Sequence, residues 1–405
     1  MASPTPSPPD APVSSQESPN RHVHLNDLSG VAQLATEATL GTTRLVEAVH
    51  AAVWSSLRPG ADARSRTAGL TGWVYRTVRH ITQLAGGSAV ETLGAVENIL
   101  GPTPPPTSEG RRRFLSILNG VFGDHLAASD SPLACSFSLR TPEGQRLDFA
   151  RTDAGTDDTV VLFVHGLCLS DRAWAATAHH SGHVGAVAEA VGGTPVLARY
   201  NTGRAISTNG RALSEHLSRL PAGPAGPSRI VLVTHSMGGL VARSAVRHAH
   251  QTGASWPQLV TDTIYLGTPH RGSPLERAGN WVEQQLRRTP FSAPFAALAT
   301  LRSQGIQDLR HGTIAADDIS SSARSDTASR PPGRSLYVAA TLASQSPVRS
   351  AVGDGLVPVS SALDTPDPTR SGPHRIFEHR GHLDLLHDPA VTEHLCRWLS
   401  PSDAA

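Results

Sequence analysis

Two rhythms of apolar residues divide this chain. From Leu25 to Phe122 they recur at helical spacing: Leu45, Val49, Ala52 and Val53 share one face, as do Leu70, Trp73, Val74, Val78 and Ile81, and again Val90, Leu93 and Leu100. Pro59-Gly60 and Gly86-Gly87 separate these helices, and Gly101-Pro-Thr-Pro-Pro-Pro106 ends the set. Phe114, Leu115, Leu118 and Val121 predict one helix more. Each helix carries a stripe and not a continuous apolar coat, so it needs a body to pack on.

Near Cys135 the rhythm changes. Cys135-Ser-Phe-Ser-Leu139 alternates, Thr141-Pro-Glu-Gly144 is turn chemistry and Arg146-Leu-Asp-Phe149 alternates again, which predicts an antiparallel hairpin. Strands are predicted at Thr159–Val164, Pro195–Tyr200 and Ile230–Val233, all three buried, and at Leu259–Leu266, Ser335–Ala340 and His374–Glu378. Helices are expected around Arg211–Leu220, from Leu240 to His250 and from about Pro389 to Leu399. The predicted class is α/β: a mostly parallel sheet with helices on both faces, opened by a hairpin.

The chain thus reads as a disordered Pro- and Ser-rich tail over 1–20, a helical region over 21–125 and an α/β domain over 130–400. An insertion over 270–334 separates two strands. Its apolar part, with Trp281, Val282, Leu286, Phe291, Phe295, Leu298 and Leu301, is expected to form a helical cap, and its Ser- and Arg-rich part, 320–333, a mobile loop. A long loop over the C-terminal edge of a parallel sheet is where a substrate lid belongs.

The chain is organised around Arg229-Ile-Val-Leu-Val-Thr-His-Ser-Met-Gly-Gly-Leu240. A buried strand, a sharp turn carrying Ser236, then a helix is the context of a nucleophile elbow, which lifts a serine hydroxyl above the sheet. Strand and helix crowd such a turn, so small neighbours are needed; Gly238 and Gly239 supply them on the helix side, while Thr234 stands where a glycine is usual. The plain alternative is a strand–helix connection capped by a serine.

A serine hydroxyl attacks only when a base takes its proton, and the base needs a third group to hold its tautomer. Asp354 lies between Gly353 and Gly355 after the strand at 335–340, and His382 follows the last strand. His379 and His387 compete with His382 but fall where solvent or helix-cap positions are expected, and Asp354 also suits a plain turn. His165 and His235 flank the elbow and read as structural or supporting residues. Two backbone amides must meet the developing oxyanion: Met237, after the nucleophile, and Leu167, aimed inward by the bend at Gly166.

Composition narrows the choice. A formal net charge of +1 over 405 residues points to no bulk electrostatic partner such as nucleic acid. Lysine is absent from the sequence, which removes Schiff-base, P-loop and Ser–Lys chemistry. The 3 cysteines, Cys135, Cys168 and Cys396, lie far apart and suit neither a disulfide framework nor a zinc site; no metal or organic cofactor is expected. The start has no basic-then-apolar signal pattern and no run of about 18 apolar residues occurs, so a cytoplasmic location is expected. The helical stripes leave open a peripheral contact with a lipid surface.

Val164-His-Gly-Leu167, Thr234-His-Ser-Met-Gly-Gly239, Leu266-Gly-Thr-Pro-His-Arg-Gly272, Gly353-Asp-Gly-Leu-Val-Pro358 and His382 together resemble an α/β-hydrolase of the bacterial lipase/esterase type. The Gly-Thr-Pro-His-x-Gly segment is similar to that of GPI inositol-deacylase-like lipase domains. The resemblance covers about 133–400 and implies Ser236 as nucleophile, Asp354 as acid, His382 as base, and Leu167 and Met237 as the oxyanion hole. It implies hydrolysis of carboxylic esters, with a small-molecule ester or lipid-like substrate. Acyl transfer, thioester or amide cleavage on the same triad, and a non-catalytic binding protein, are the alternatives.

Overall fold

Thr159–Val164 (β3), Thr194–Arg199 (β4), Arg229–His235 (β5), Val260–Leu266 (β6), Arg334–Thr341 (β7) and His374–Glu378 (β8) run parallel in the order β4-β3-β5-β6-β7-β8. The hairpin Ser138–Arg140 (β1) and Arg146–Leu147 (β2) adds two short antiparallel strands, with β1 against β4 and β2 outermost. The computed structural model describes residues 33, 36, 109–149, 158–175, 182–220, 226–274, 303–315, 329–344, 352–365 and 373–400. The chain divides into two compact units, Met1–Arg112 and Arg113–Ala405, and the sheet belongs to the second. The expected tail, the helices over 25–100 apart from residues 33 and 36, the apolar part of the insertion and the loop over 320–328 lie outside the described residues.

β-branched and apolar runs drive the central strands, and β3 is buried along its whole length. Successive side chains point to opposite faces. Val161, Phe163, Val231, Val233, Ile264, Leu266, Leu336 and Val338 share one face with Val187 of α2 (Gly182–Val191) and with Val391 and Leu395 of α7 (Pro389–Leu399). His183 joins these helices, its Nδ1 lying 2.7 Å from Thr392 Oγ1 and its Nε2 2.8 Å from the Leu385 carbonyl. The alternate positions Val160, Leu162, Ile230 and Leu232 are equally buried and face the other way. On that side α3 (Ile206–Leu217) and α4 (Met237–Thr252) cross closely, because Gly210 leaves no Cβ where Ser244 comes in.

Helix α1 (Glu109–Ala128) buries Phe114, Ile117, Leu118, Val121, Phe122 and Leu126. Its residues from Arg113 onward lie in the second unit. Short helices α5 (Gln304–His311) and α6 (Val359–Ala362) complete the described elements. The helix expected from Leu240 begins at Met237, and the one expected from Arg211 begins at Ile206. Among the described residues no helix is long and apolar enough to cross a membrane.

Candidate active site

Because β3, β5, β7 and β8 are parallel, the loops that follow them open on one edge of the sheet. Ser236 follows β5 with no spacer: His235 is the last strand residue and Met237 the first helical one. Its φ of 54° and ψ of −126° lie where non-glycine residues are seldom found, the strain expected of a serine at a sharp functional turn. The amide of Ser236 donates to the Leu266 carbonyl at 2.8 Å, fixing the elbow to β6.

Glycines make the turn possible. A Cβ on Gly238 would lie 2.3 Å from the Val164 carbonyl oxygen, and one on Gly166 would lie 2.9 Å from the Ser236 Cβ. The loop after β3 therefore presses directly on the elbow. Thr234, where a glycine is usual, is fully buried, and its hydroxyl donates to the Ile264 carbonyl at 2.9 Å. The substitution adds a tie between β5 and β6 at the elbow.

Asp354 and His382 are brought together, His382 Nδ1 standing 2.7 Å from Asp354 Oδ2 with both side chains buried. The other carboxylate oxygen accepts from the amides of Leu356 at 3.0 Å and Val357 at 2.7 Å, and the His382 amide donates to the Asp354 carbonyl at 3.1 Å. An ionised carboxylate only accepts, so this bond puts the proton on Nδ1 and makes Nε2 the basic nitrogen. Gly267, at φ 58°, lies beneath the pair: a Cβ there would be 3.2 Å from Asp354 Oδ2 and 3.3 Å from His382 Cε1. Leu266 holds the Ser236 amide, so Ser236 and the Asp354–His382 pair both border the Leu266-Gly267 segment. Of the competing histidines, His379 is exposed and His387 is half-buried near the start of α7.

Leu167 and Met237 are both buried beside Ser236. Met237 opens α4, where first-turn amides lack intrahelical acceptors and the helix end is electropositive. Among the described residues the Leu167 amide donates to no protein acceptor, whereas the Cys168 amide is taken by Thr202 Oγ1 at 3.1 Å. Tyr200, unlike His165 and His235, carries no sequence signal of a supporting part. Tyr200 donates its hydroxyl to the His165 carbonyl at 2.5 Å and stacks on that ring at 4.4 Å. The Nε2 of His235 lies 3.0 Å from the His382 carbonyl oxygen. Burial pushes His165 down to about 4, and burial with the neighbouring His382 holds His235 well below the usual histidine range, so both rings are neutral at pH 7. Among the described residues no cluster of His, Cys, Asp and Glu is arranged to hold a metal ion.

Residues 156–332 match the family model described as PGAP1-like alpha/beta domain. That span takes in Leu167 and Ser236 and stops before Asp354 and His382. Together with the strand order it decides the class. The fold is that of the α/β-hydrolases. Similar solved structures include the mature lipase BlEst2 of Bacillus licheniformis, at 18% identity and TM-score 0.40, covering 59% of this chain and 91% of that one. An esterase of Thermogutta terrifontis is similar at 16% identity and TM-score 0.34 over 65% of this chain and 92% of that one. The Pyrococcus furiosus esterase Pf2001 is similar at 15% identity and TM-score 0.36 over 65% and 90% respectively. No curated protein matches the sequence. The α/β-hydrolase sheet places Ser236, Asp354 and His382 after its strands β5, β7 and β8.

Proposed function

We propose that this α/β-hydrolase is a serine carboxylic-ester hydrolase working through an acyl-enzyme. The observation that carries the reading is the buried 2.7 Å bond from His382 to Asp354, which borders the same Leu266-Gly267 segment as the strained Ser236. His382 Nε2 takes the Ser236 proton as Oγ attacks the ester carbonyl, and Asp354 stabilises the imidazolium that forms. The carbonyl oxygen gains charge against the Leu167 and Met237 amides. His382 then gives its proton to the leaving alcohol as the ester C–O bond breaks. Water, deprotonated by the same nitrogen, attacks the acyl-Ser236 carbonyl and releases the acid and the free serine.

The substrate class is a small-molecule ester or lipid-like acyl ester. Hydrolysis of p-nitrophenyl esters across chain lengths, wild type beside Ser236→Ala, tests the reading. Turnover in the wild type that vanishes in the variant is expected, as is labelling of Ser236 by a fluorophosphonate. Equal turnover in both proteins, or none in either, would sink it. Added alcohols, with products analysed for new esters, separate hydrolysis from acyl transfer.

A further inference from the structure

Helix α1 precedes the family match, yet its face meets the loop that carries the Leu167 amide. Gly120 and Gly123 lie about one turn apart on it. Glycine weakens a helix interior, so two on one face call for a reason. A Cβ on Gly120 would lie 2.3 Å from Cys168 Sγ and 3.0 Å from the Cys168 Cα, and one on Gly123 would lie 1.8 Å from Asn201 Oδ1. Gly203 returns the fit, since its Cβ would lie 2.3 Å from the Asn119 carbonyl oxygen. Backbone approaches backbone here, and hydrogen bonds seal the contact: Asn201 Nδ2 donates to the Gly123 carbonyl at 2.7 Å and Ser303 Oγ to the Gly120 carbonyl at 2.7 Å.

The residue gripped this way is strained. Cys168 has a φ of 58° without being a glycine, a conformation that persists only where the surroundings enforce it. Gly120 bounds it on the α1 side, and Thr202 accepts its amide at 3.1 Å. Tyr200 holds the His165 carbonyl three residues earlier. With the Cys168 amide occupied, the Leu167 amide alone of the pair is left for a developing oxyanion. The thiol itself is buried, and burial raises its pKa, so it serves as packing and not as a nucleophile.

We propose that α1 is the positioning element of the oxyanion loop, with Gly120 and Thr202 as the residues that set the Cys168 backbone and thereby aim the Leu167 amide. The catalytic consequence rests on the serine-hydrolase reading; the loop's dependence on α1 does not.

The test compares Gly120→Ala, Thr202→Val and the double variant Gly120→Ala with Cys168→Gly. Two quantities are read: kcat and KM on a p-nitrophenyl ester, per Ser236 titrated with fluorophosphonate, and amide hydrogen exchange over residues 165–169. In each single variant kcat is expected to fall about tenfold to a hundredfold with KM changed less than about twofold, because a misaimed oxyanion donor acts in the transition state. Exchange over 165–169 is expected to quicken about tenfold. The double variant should recover most of both, because glycine takes the positive φ freely and removes the thiol in the way. Wild-type kcat per titrated serine and wild-type exchange in both single variants would overturn the proposal, even if melting temperatures dropped. Should Gly120→Ala fail to fold, Thr202→Val carries the test. If the wild type neither hydrolyses esters nor labels, the functional reading falls, and the exchange measurement still decides whether α1 holds the loop.

Discussion

His235 holds the main chain of His382: its Nε2 lies 3.0 Å from that carbonyl oxygen, and the two rings are 4.7 Å apart. A carbonyl only accepts, so the neutral His235 ring carries its proton on Nε2. The residue before the candidate nucleophile thus fixes the candidate base. His235→Leu is expected to lower kcat about tenfold to a hundredfold through misplacement of the His382 ring. His235→Gln, which can still donate, should keep most of the activity. Turnover per fluorophosphonate-titrated serine distinguishes the two; equal losses would assign His235 to packing alone.

Asp354→Asn should leave the fold and remove the chemistry. The asparagine carbonyl can still accept from the Leu356 and Val357 amides, but its NH2 group would face His382 Nδ1 and reverse the tautomer. A loss of about 10⁴-fold in kcat is expected, with a melting temperature within a few degrees of wild type.

Acid should destabilise the protein through its buried histidines. His165, His235 and His270 are all held below the usual histidine pKa, chiefly by burial, His165 at about 4. The unfolded chain therefore binds more protons than the native one below about pH 6.5. Their contribution is fully present above that pH and is lost as pH falls; for His165 the window runs from about 6.5 down to about 4 and is worth roughly 3 kcal/mol. Urea unfolding between pH 7 and 4 should show the loss, and His165→Phe should flatten part of it.

Two glycines should respond in opposite ways to alanine. Gly238→Ala places a methyl 2.3 Å from a backbone oxygen that cannot yield without moving β3, and should cost about 3 kcal/mol or more. Gly185→Ala, inside α2 with open space around it, should stabilise by roughly 0.5–1 kcal/mol. Thermal unfolding of the two variants checks both signs.

What sequence made legible follows from how locally each feature is specified. β3 and α7 lie where they were read, because apolar residues are bounded there by turn residues or by Asp388 capping the Ala390 amide, and β8 also keeps its bounds. The Asp354–His382 contact was reachable from chain order and the Gly353-Asp-Gly355 turn. The early start of α4 was not, because Gly238 and Gly239 look like a turn although they sit in a helix pressed against β3 and Thr268. α2 was missed because Gly182-His-Val-Gly-Ala carries little apolar stripe. β1 begins at Ser138 instead of Cys135, whose amide is drawn to Asn119 on α1. The parts played by Tyr200, Thr202 and Gly120 come from contacts far apart in sequence, which no periodicity encodes.

Ser273 and Ser303, on either side of residues 275–302, are each held by hydrogen bonds of their own. Ser273 donates its amide to the Leu309 carbonyl at 3.2 Å and its hydroxyl to the Leu356 carbonyl at 2.7 Å. On the return side Ser303 and Gln304 bind the Gly120 carbonyl and the Asp124 carboxylate. Ser273 and Ser303 therefore act as fixed posts, each tying its own backbone to the packed body through a 2.7 Å bond from its hydroxyl.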